Sequence, residues 1–134
     1  IEHLKKIREL QDETGGFRAF ISWTYQPGSN DLAGQKISSL EYLRFLALSR
    51  LYLDNFDHIQ GSWVTQGKKI GQLTLFFGAD DLGSIMIEEN VVRSAGVAYR
   101  MNQQEMITLI SKAGKIPAQR DTAYNRLRLF PASE

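Results

Sequence analysis

A chain of 134 residues, 43% hydrophobic, 23% charged and with a formal net charge of +1, has the make-up of one ordinary globular domain and lacks the basic excess that nucleic acid or anionic lipid would select. It contains no cysteine, which excludes disulfides, thiolate zinc sites, cysteine nucleophiles and iron–sulfur ligation within the chain itself. No apolar run reaches the roughly 18 residues of a membrane span and the start has no secretory layout, so the expected compartment is the cytoplasm.

Leu4, Ile7 and Leu10 recur at helical spacing as far as Gly15-Gly16, which predicts a helix closed by a glycine cap. The apolar run Phe17 to Trp23 follows as a first strand, and then a polar connection over 24–37. Ser38-Ser39-Leu40-Glu41 has the spacing of a capping box and opens a second helix through Leu51. His58 to Trp63 predicts a second strand, Ile70, Leu73, Thr74 and Phe77 a helix closed by Gly78, and Ser84 to Ile87 a third strand. A second long connection fills 88–101. Asn102 with Glu105 then opens a helix through Gly114, before a short fourth strand over Ile116 to Asp121.

The resulting order αβαβαβαβ predicts an α/β fold of parallel strands with helical crossovers over 1–124, followed by a tail over 125–134. Helix-to-strand turns are short, whereas the two strand-to-helix connections are long, and in an α/β barrel the long ones form the active-site face. Alternation along each strand predicts one polar side. Arg18, Ser22 and Thr24 fall on it in the first strand, His58, Gln60 and Ser62 in the second, Ser84, Met86 and Glu88 in the third, Gln119 and Asp121 in the fourth. A doubly wound sheet would show nearly continuous apolar strands, so a polar side fits a barrel lumen that holds a polar ligand. Strand boundaries displaced by one residue would reverse every assignment.

The richest stretch for chemistry is Gly78 to Gly96, GADDLGSIMIEENVVRSAG, in which an apolar strand runs into Glu88, Glu89 and Asn90. Carboxylates at the carboxyl end of a parallel strand face the ligand side of the fold, although a solvated strand end is the plainer reading of the same residues. Asp80-Asp81 lacks the regular oxygen spacing of a metal loop and reads as turn chemistry. Gln66-Gly67-Lys68-Lys69 lacks the glycine framework of a phosphate loop. Aromatic and basic residues are not interleaved on one face, which argues against single-stranded nucleic acid as a partner.

Four segments carry a family resemblance: Trp23 to Gly28 (WTYQPG), Tyr52 to Gln60 (YLDNFDHIQ), the Gly78 to Gly96 stretch, and Pro117 to Thr122 (PAQRDT). From about His3 to Tyr124 the chain resembles the C-terminal half of radical S-adenosylmethionine enzymes of the futalosine and deazaflavin routes. WTYQPG and DNFDHIQGSWVTQG resemble the branch that cyclises dehypoxanthine futalosine in menaquinone biosynthesis; aminofutalosine and deazaflavin-cofactor synthases are the alternatives. The resemblance implies the C-terminal half of a parallel (β/α) barrel of the TIM type. It also implies a parent enzyme using S-adenosylmethionine and a [4Fe-4S] cluster held by a CxxxCxxC loop, and that loop is absent here. A piece of a longer enzyme is the favoured explanation of that absence, and a relative that lost its cluster is the other. As a piece, the chain would be inert alone, would lack the N-terminal half-barrel as its partner, and would self-associate through open strand edges. A non-catalytic α/β binding module is the rival from a different class.

The expected contacts to substrate or S-adenosylmethionine are Ser22, Thr24, Gln26, His58, Gln60, Glu88, Gln119 and Asp121, with no metal ligand among them. Glu88 leads, as an acceptor for ribose hydroxyls or an amino group; pairing with Arg93 or Arg120 is its structural alternative. Gln26, with Tyr25, would read a purine or a carboxylated ring. His58 reads more readily as a structural residue than as a ligand contact, Glu89 and Trp23 as packing, and Arg120 as the partner of a substrate carboxylate or, in preference, of its neighbour Asp121.

Overall fold

In the computed structural model, residues 1–25, 37–85 and 99–131 are described. Helix α1 (Glu2–Thr14) ends at Gly15, whose amide still donates to the Gln11 carbonyl and whose left-handed φ of 56° turns the following chain out of the helix. Strand β1 (Ala19–Ile21) is shorter than the apolar run that announces it. Helix α2 (Ser39–Tyr52) starts from the expected capping box: the Glu41 amide donates to Ser38 Oγ at 3.2 Å, and the Ser38 amide donates to the Glu41 carboxylate at 2.8 Å. Strand β2 (His58–Gln60) gives way to two short helices, α3 (Trp63–Gln66) and α4 (Lys68–Thr74). Helix α5 (Gln103–Lys112) has the second capping box, from Asn102 and Glu105.

The second strand stops at Gln60 rather than running to Trp63. Gly61 lies so close to α4 that a Cβ there would stand 2.0 Å from Thr74 Oγ1. The chain turns at that contact and delivers Trp63, 1% exposed, into a cluster with Val64, Leu82 and Met101. Burial of the largest apolar side chain therefore overrides strand continuation.

Strands β1 and β2 are parallel, with Ala19 opposite His58, Phe20 opposite Ile59 and Ile21 opposite Gln60. A third position joins them where Asp81 bridges Gln60 in parallel, held by Gly61 N to Asp81 O at 2.8 Å and Asp80 N to Ile59 O at 3.0 Å. The sheet contact thus comes at Asp81, ahead of the strand expected over Ser84 to Ile87. Ser84 and Ile85 belong to no strand, and Met86 and Ile87 lie outside the described residues.

This register corrects the expected polar side. Phe20 and Ile59 are paired and enter one helix-facing core, Ile59 with Leu46 and Ala79, and Phe20 against both that group and the Leu4, Leu53 and Phe56 cluster. His58 and Gln60 consequently share the opposite face with Ala19 and Ile21, not with Ser22. Paired residues on neighbouring strands share a face, and among the described residues the helices that pack on the sheet cover the face of Phe20 and Ile59.

The chain's end departs further from expectation. β3 (Ala118–Arg120) does not continue the parallel series; it pairs antiparallel with β4 (Arg126–Leu129), so residues assigned to a tail supply a strand. No helix separates the two, and a tight turn closed by Asp121 leaves only the antiparallel arrangement. The fold is therefore mixed α/β, with a parallel β1–β2–Asp81 unit and a separate hairpin. Among the described residues no helix is long and apolar enough to cross a membrane.

Candidate functional site

Two polar clusters flank the parallel unit, one at the carboxyl ends of β1 and β2 and one at the amino end of β2. The first is built from neutral groups. Thr24 and Ser22, each 8% exposed, follow β1; Ser62, Thr65 and Gln66, at 2%, 1% and 8%, follow β2. Gln66 Nε2 donates to Thr24 Oγ1 at 2.8 Å, and Ser62 Oγ and Thr65 Oγ1 are 2.7 Å apart. The Ser62 amide donates to the Tyr42 hydroxyl at 2.8 Å, bringing the α2 helix into the same cluster. Burial raises the Tyr42 pKa, a shift moderated by the Ser62 amide and the neighbouring Ser22 hydroxyl. Ser22 Oγ lies beside Tyr42 without a hydrogen bond of normal geometry, and the buried Trp63 indole N–H has no partner either. Buried polar atoms without partners are uncommon.

Gln60, two residues before Ser62, stands on the sheet face opposite Phe20 and Ile59. Its side-chain amide lies over Gly83, where an added Cβ would come within 2.5 Å of Gln60 Nε2, and Gly83 has a φ of +72°. Only glycine accommodates both the close approach and that backbone conformation.

The second cluster is charged. Asp80 Oδ2 lies 2.5 Å from His58 Nδ1, while its Oδ1 accepts from the Ile59 amide and from Arg50 Nη2, both at 2.7 Å. Arg50 also donates to the carbonyls of Gly78 and Phe56. Asp81, the next residue, turns the other way and is gripped by Arg120 through Nε at 3.1 Å and Nη2 at 2.5 Å. Hydrogen bonding to Asp81 raises the Arg120 pKa, with burial opposing. The two aspartates read as turn chemistry are therefore the main ion-pairing centres of the sheet. Arg120 pairs with Asp81, not with its neighbour Asp121.

The expected site residues are divided by this geometry. Ser22 and Thr24 are buried in the neutral cluster, and Gln60 lies on the sheet face opposite Phe20 and Ile59. His58 belongs to the charged cluster at the other end of the strand. Gln119 is exposed on β3 opposite Arg128. Asp121 builds the hairpin turn, accepting from the amides of Ala123 and Asn125 at 2.8 and 2.9 Å and from Asn125 Nδ2 at 2.9 Å. Those bonds, Asn125's side chain first, lower its pKa. Gln26 and Glu88, with Glu89, Asn90 and Arg93, lie outside the described residues. Tyr42 and Thr65 carry no expectation from sequence, Ser62 is placed there only on the polar side of the second strand, and Gln66 is weighed only as part of a phosphate loop; the hydroxyl-rich SWVTQ immediately after a strand is the available signal.

The neutral cluster offers hydroxyls and an amide at the strand ends where α/β folds receive ligands, and so suits a polar, uncharged group such as a sugar hydroxyl or a base edge. An iron–sulfur cluster does not fit the donor set: the chain has no cysteine, and among the described residues no group of three or more His, Asp or Glu is placed to hold a metal ion.

Comparison with known proteins places the chain. The family described as CofH/MqnC C-terminal region matches residues 14–132. The chain is 62% identical over 128 residues to the cyclic dehypoxanthine futalosine synthase of Streptomyces coelicolor, covering 95% of this chain and 32% of that protein. It is 47% identical over 133 residues to the protein of the same name from Halalkalibacterium halodurans, covering 98% and 36%. It is 40% identical over 141 residues to the aminodeoxyfutalosine synthase of Thermus thermophilus, covering 100% and 38%. The chain thus spans between 32% and 38% of these relatives' lengths. It belongs to the CofH/MqnC C-terminal family.

Proposed function

We propose that this chain is the C-terminal part of a radical S-adenosylmethionine enzyme that cyclises dehypoxanthine futalosine on a route to menaquinone. The observation that carries the proposal is the similarity, along nearly its whole length, to synthases of that name. In the parent, a [4Fe-4S] cluster together with S-adenosylmethionine would supply the radical chemistry. The cluster's ligands belong to the remainder of the parent, since this chain has no cysteine.

This chain's share is binding and positioning. Thr24, Gln66 and Gln60, at the carboxyl ends of the strands, orient hydroxyl- and amide-bearing parts of substrate or S-adenosylmethionine. Ser22 and Tyr42 form the buried polar floor beneath them. The sheet face bearing Ile21 and Gln60, with Gly83 against the Gln60 amide, becomes lumen wall when the parent's other strands close the barrel. That closure makes the site dry, which radical chemistry needs to avoid side reactions. His58 and Asp121 act structurally, through Asp80 and the hairpin turn. By itself the chain is inert, cytoplasmic, and self-associates through the uncovered face and edge of its sheet.

The test is anaerobic expression and cluster reconstitution of the whole parent, followed by assay for 5'-deoxyadenosine and cyclised product with dehypoxanthine futalosine. Turnover of an aminodeoxyfutalosine precursor instead would transfer the chain to the synthase group represented by the Thermus thermophilus relative. Turnover of a ribitylaminouracil with tyrosine would transfer it to the 4-hydroxyphenyl transferases, exemplified by the Methanosarcina acetivorans protein at 37% identity. No turnover of any of these by a fully loaded parent would favour a binding module.

A further inference from the structure

The C-terminal hairpin has almost no core of its own: all four residues of β4 are exposed, as are Ala118 and Gln119 of β3. Its turn is nevertheless held by a dense set of contacts. The Tyr124 ring stacks on His58, with centroids 3.9 Å apart and planes 8° from parallel, and the Arg120 guanidinium carbon lies 3.8 Å from the same Tyr124 centroid. Two planar groups at those distances would collide on one face, so Tyr124 is sandwiched between them. Its hydroxyl donates to Asp81 Oδ2 at 3.2 Å, the carboxylate that Arg120 also grips. Arg18, ahead of β1, donates to the Thr122 carbonyl at 3.2 Å.

Tyr124 has a φ of 66°, the one positive value among described residues other than glycine. For a bulky residue that conformation is unfavourable and persists where the surroundings over-determine it. Here the stack on both ring faces, the bond to Asp81 and the Asp121 turn supply that constraint.

Asp81 is also the residue that bridges Gln60 in the sheet, and Gly83, two residues on, packs under the Gln60 amide. One carboxylate therefore joins the hairpin to the segment that supports a candidate ligand-binding side chain. We propose that the hairpin is a clasp, and that Tyr124 and Arg120 are positioning residues which fix Gln60 through Asp81 and Gly83. Neither touches the ligand. The role of the clasp follows from this geometry whichever reaction the parent performs.

Amide hydrogen exchange and NMR on Tyr124→Ala, Tyr124→Phe and Arg120→Lys proteins test the proposal, with Arg128→Ala as control, since Arg128 belongs to the same hairpin but lies over Phe130. In Tyr124→Ala the Gly61 and Asp80 amides, which hold the Asp81 bridge, should exchange about tenfold faster or more together with the Asp121 amide of the turn, while Leu53 in the helix layer keeps its protection. The Gln60 side-chain amide resonances should shift in the same variant, and Arg120→Lys should lie between wild type and Tyr124→Ala. If Tyr124→Ala unfolds globally, Tyr124→Phe, which keeps the stack and loses only the bond to Asp81, should show the same pattern at smaller amplitude. Faster exchange in the hairpin with Gly61, Asp80 and Gln60 unchanged would make it a mere appendage and overturn the proposal, as would an equal response in Arg128→Ala.

Discussion

Gln66 Nε2 donates a 2.8 Å hydrogen bond to Thr24 Oγ1, tying the chain beyond β1 to the short helix that follows β2. Both side chains are buried, so removing one partner leaves the other in a place that water reaches poorly. Gln66→Leu should lower stability by about 1–3 kcal/mol in urea unfolding. In the parent enzyme it should also raise KM for a ligand seated on the neutral cluster. An unchanged KM with the stability loss intact would remove Gln66 from the binding site.

Leu46 is fully buried between α2 and the sheet with Ile59 and Ala79, whereas Leu51 on the same helix is 81% exposed. Leu46→Ala should cost about 3–5 kcal/mol, combining lost transfer energy with a cavity. Leu51→Ala should stay within about 0.5 kcal/mol of wild type. Paired denaturation curves check both, and equal effects would contradict the placement of the core.

Gly61→Ala would set a methyl 2.0 Å from Thr74 Oγ1 and 2.6 Å from its Cβ. Overlap with the Cβ means that Thr74→Ala cannot relieve it fully. The single variant should lose about 1–3 kcal/mol or more, and the double variant should remain below Thr74→Ala alone. Thermal unfolding of the three proteins is the measurement.

Tyr124 has its pKa pushed from the ordinary 10.0 up to about 12, by burial first and then by the Asp81 carboxylate. A folded-state pKa above the unfolded value means that the folded protein holds the proton more tightly. The associated stability is present in full below pH 10 and is lost as pH rises towards 12. Tyr124→Phe should therefore flatten the alkaline fall in stability across that window and remove one late step from the phenolate absorbance titration.

Asp121 behaves in the opposite sense. Its pKa is held below the ordinary 3.8, chiefly by the Asn125 side chain, so its contribution is present above that value and is lost as pH falls through the folded pKa. Asn125→Ala should bring the Asp121 titration back towards 3.8 and loosen the turn at a higher pH than in wild type. Carboxyl chemical shifts followed against pH report both.

Helices α1, α2 and α5 were legible because each is written locally: Gly15 stops one, and Ser38 with Glu41 and Asn102 with Glu105 start the others. The parallel pairing of β1 with β2 followed from the helix between them. Sequence alternation could not reveal which side of each strand was covered, because Ser22 and Gln60 look equally polar and only the pairing of Phe20 with Ile59 decides which side meets the helices. Nor did Asp80-Asp81 announce its role: a turn-forming pair and an ion-pairing centre have the same spelling until Arg50, His58, Arg120 and Tyr124 arrive from distant positions.

The sequence by itself determined the family, the helix boundaries and the absence of thiolate chemistry, since these rest on motif, short-range hydrogen bonding and residue type. Only the tertiary structure decided that Ser22 does not share the face carrying Gln60, that the fourth strand reverses into a hairpin, and that Tyr124 reaches His58. Each of those depends on which apolar surfaces find cover and which charges find partners across tens of residues, and contacts at that separation have no local periodicity to record them.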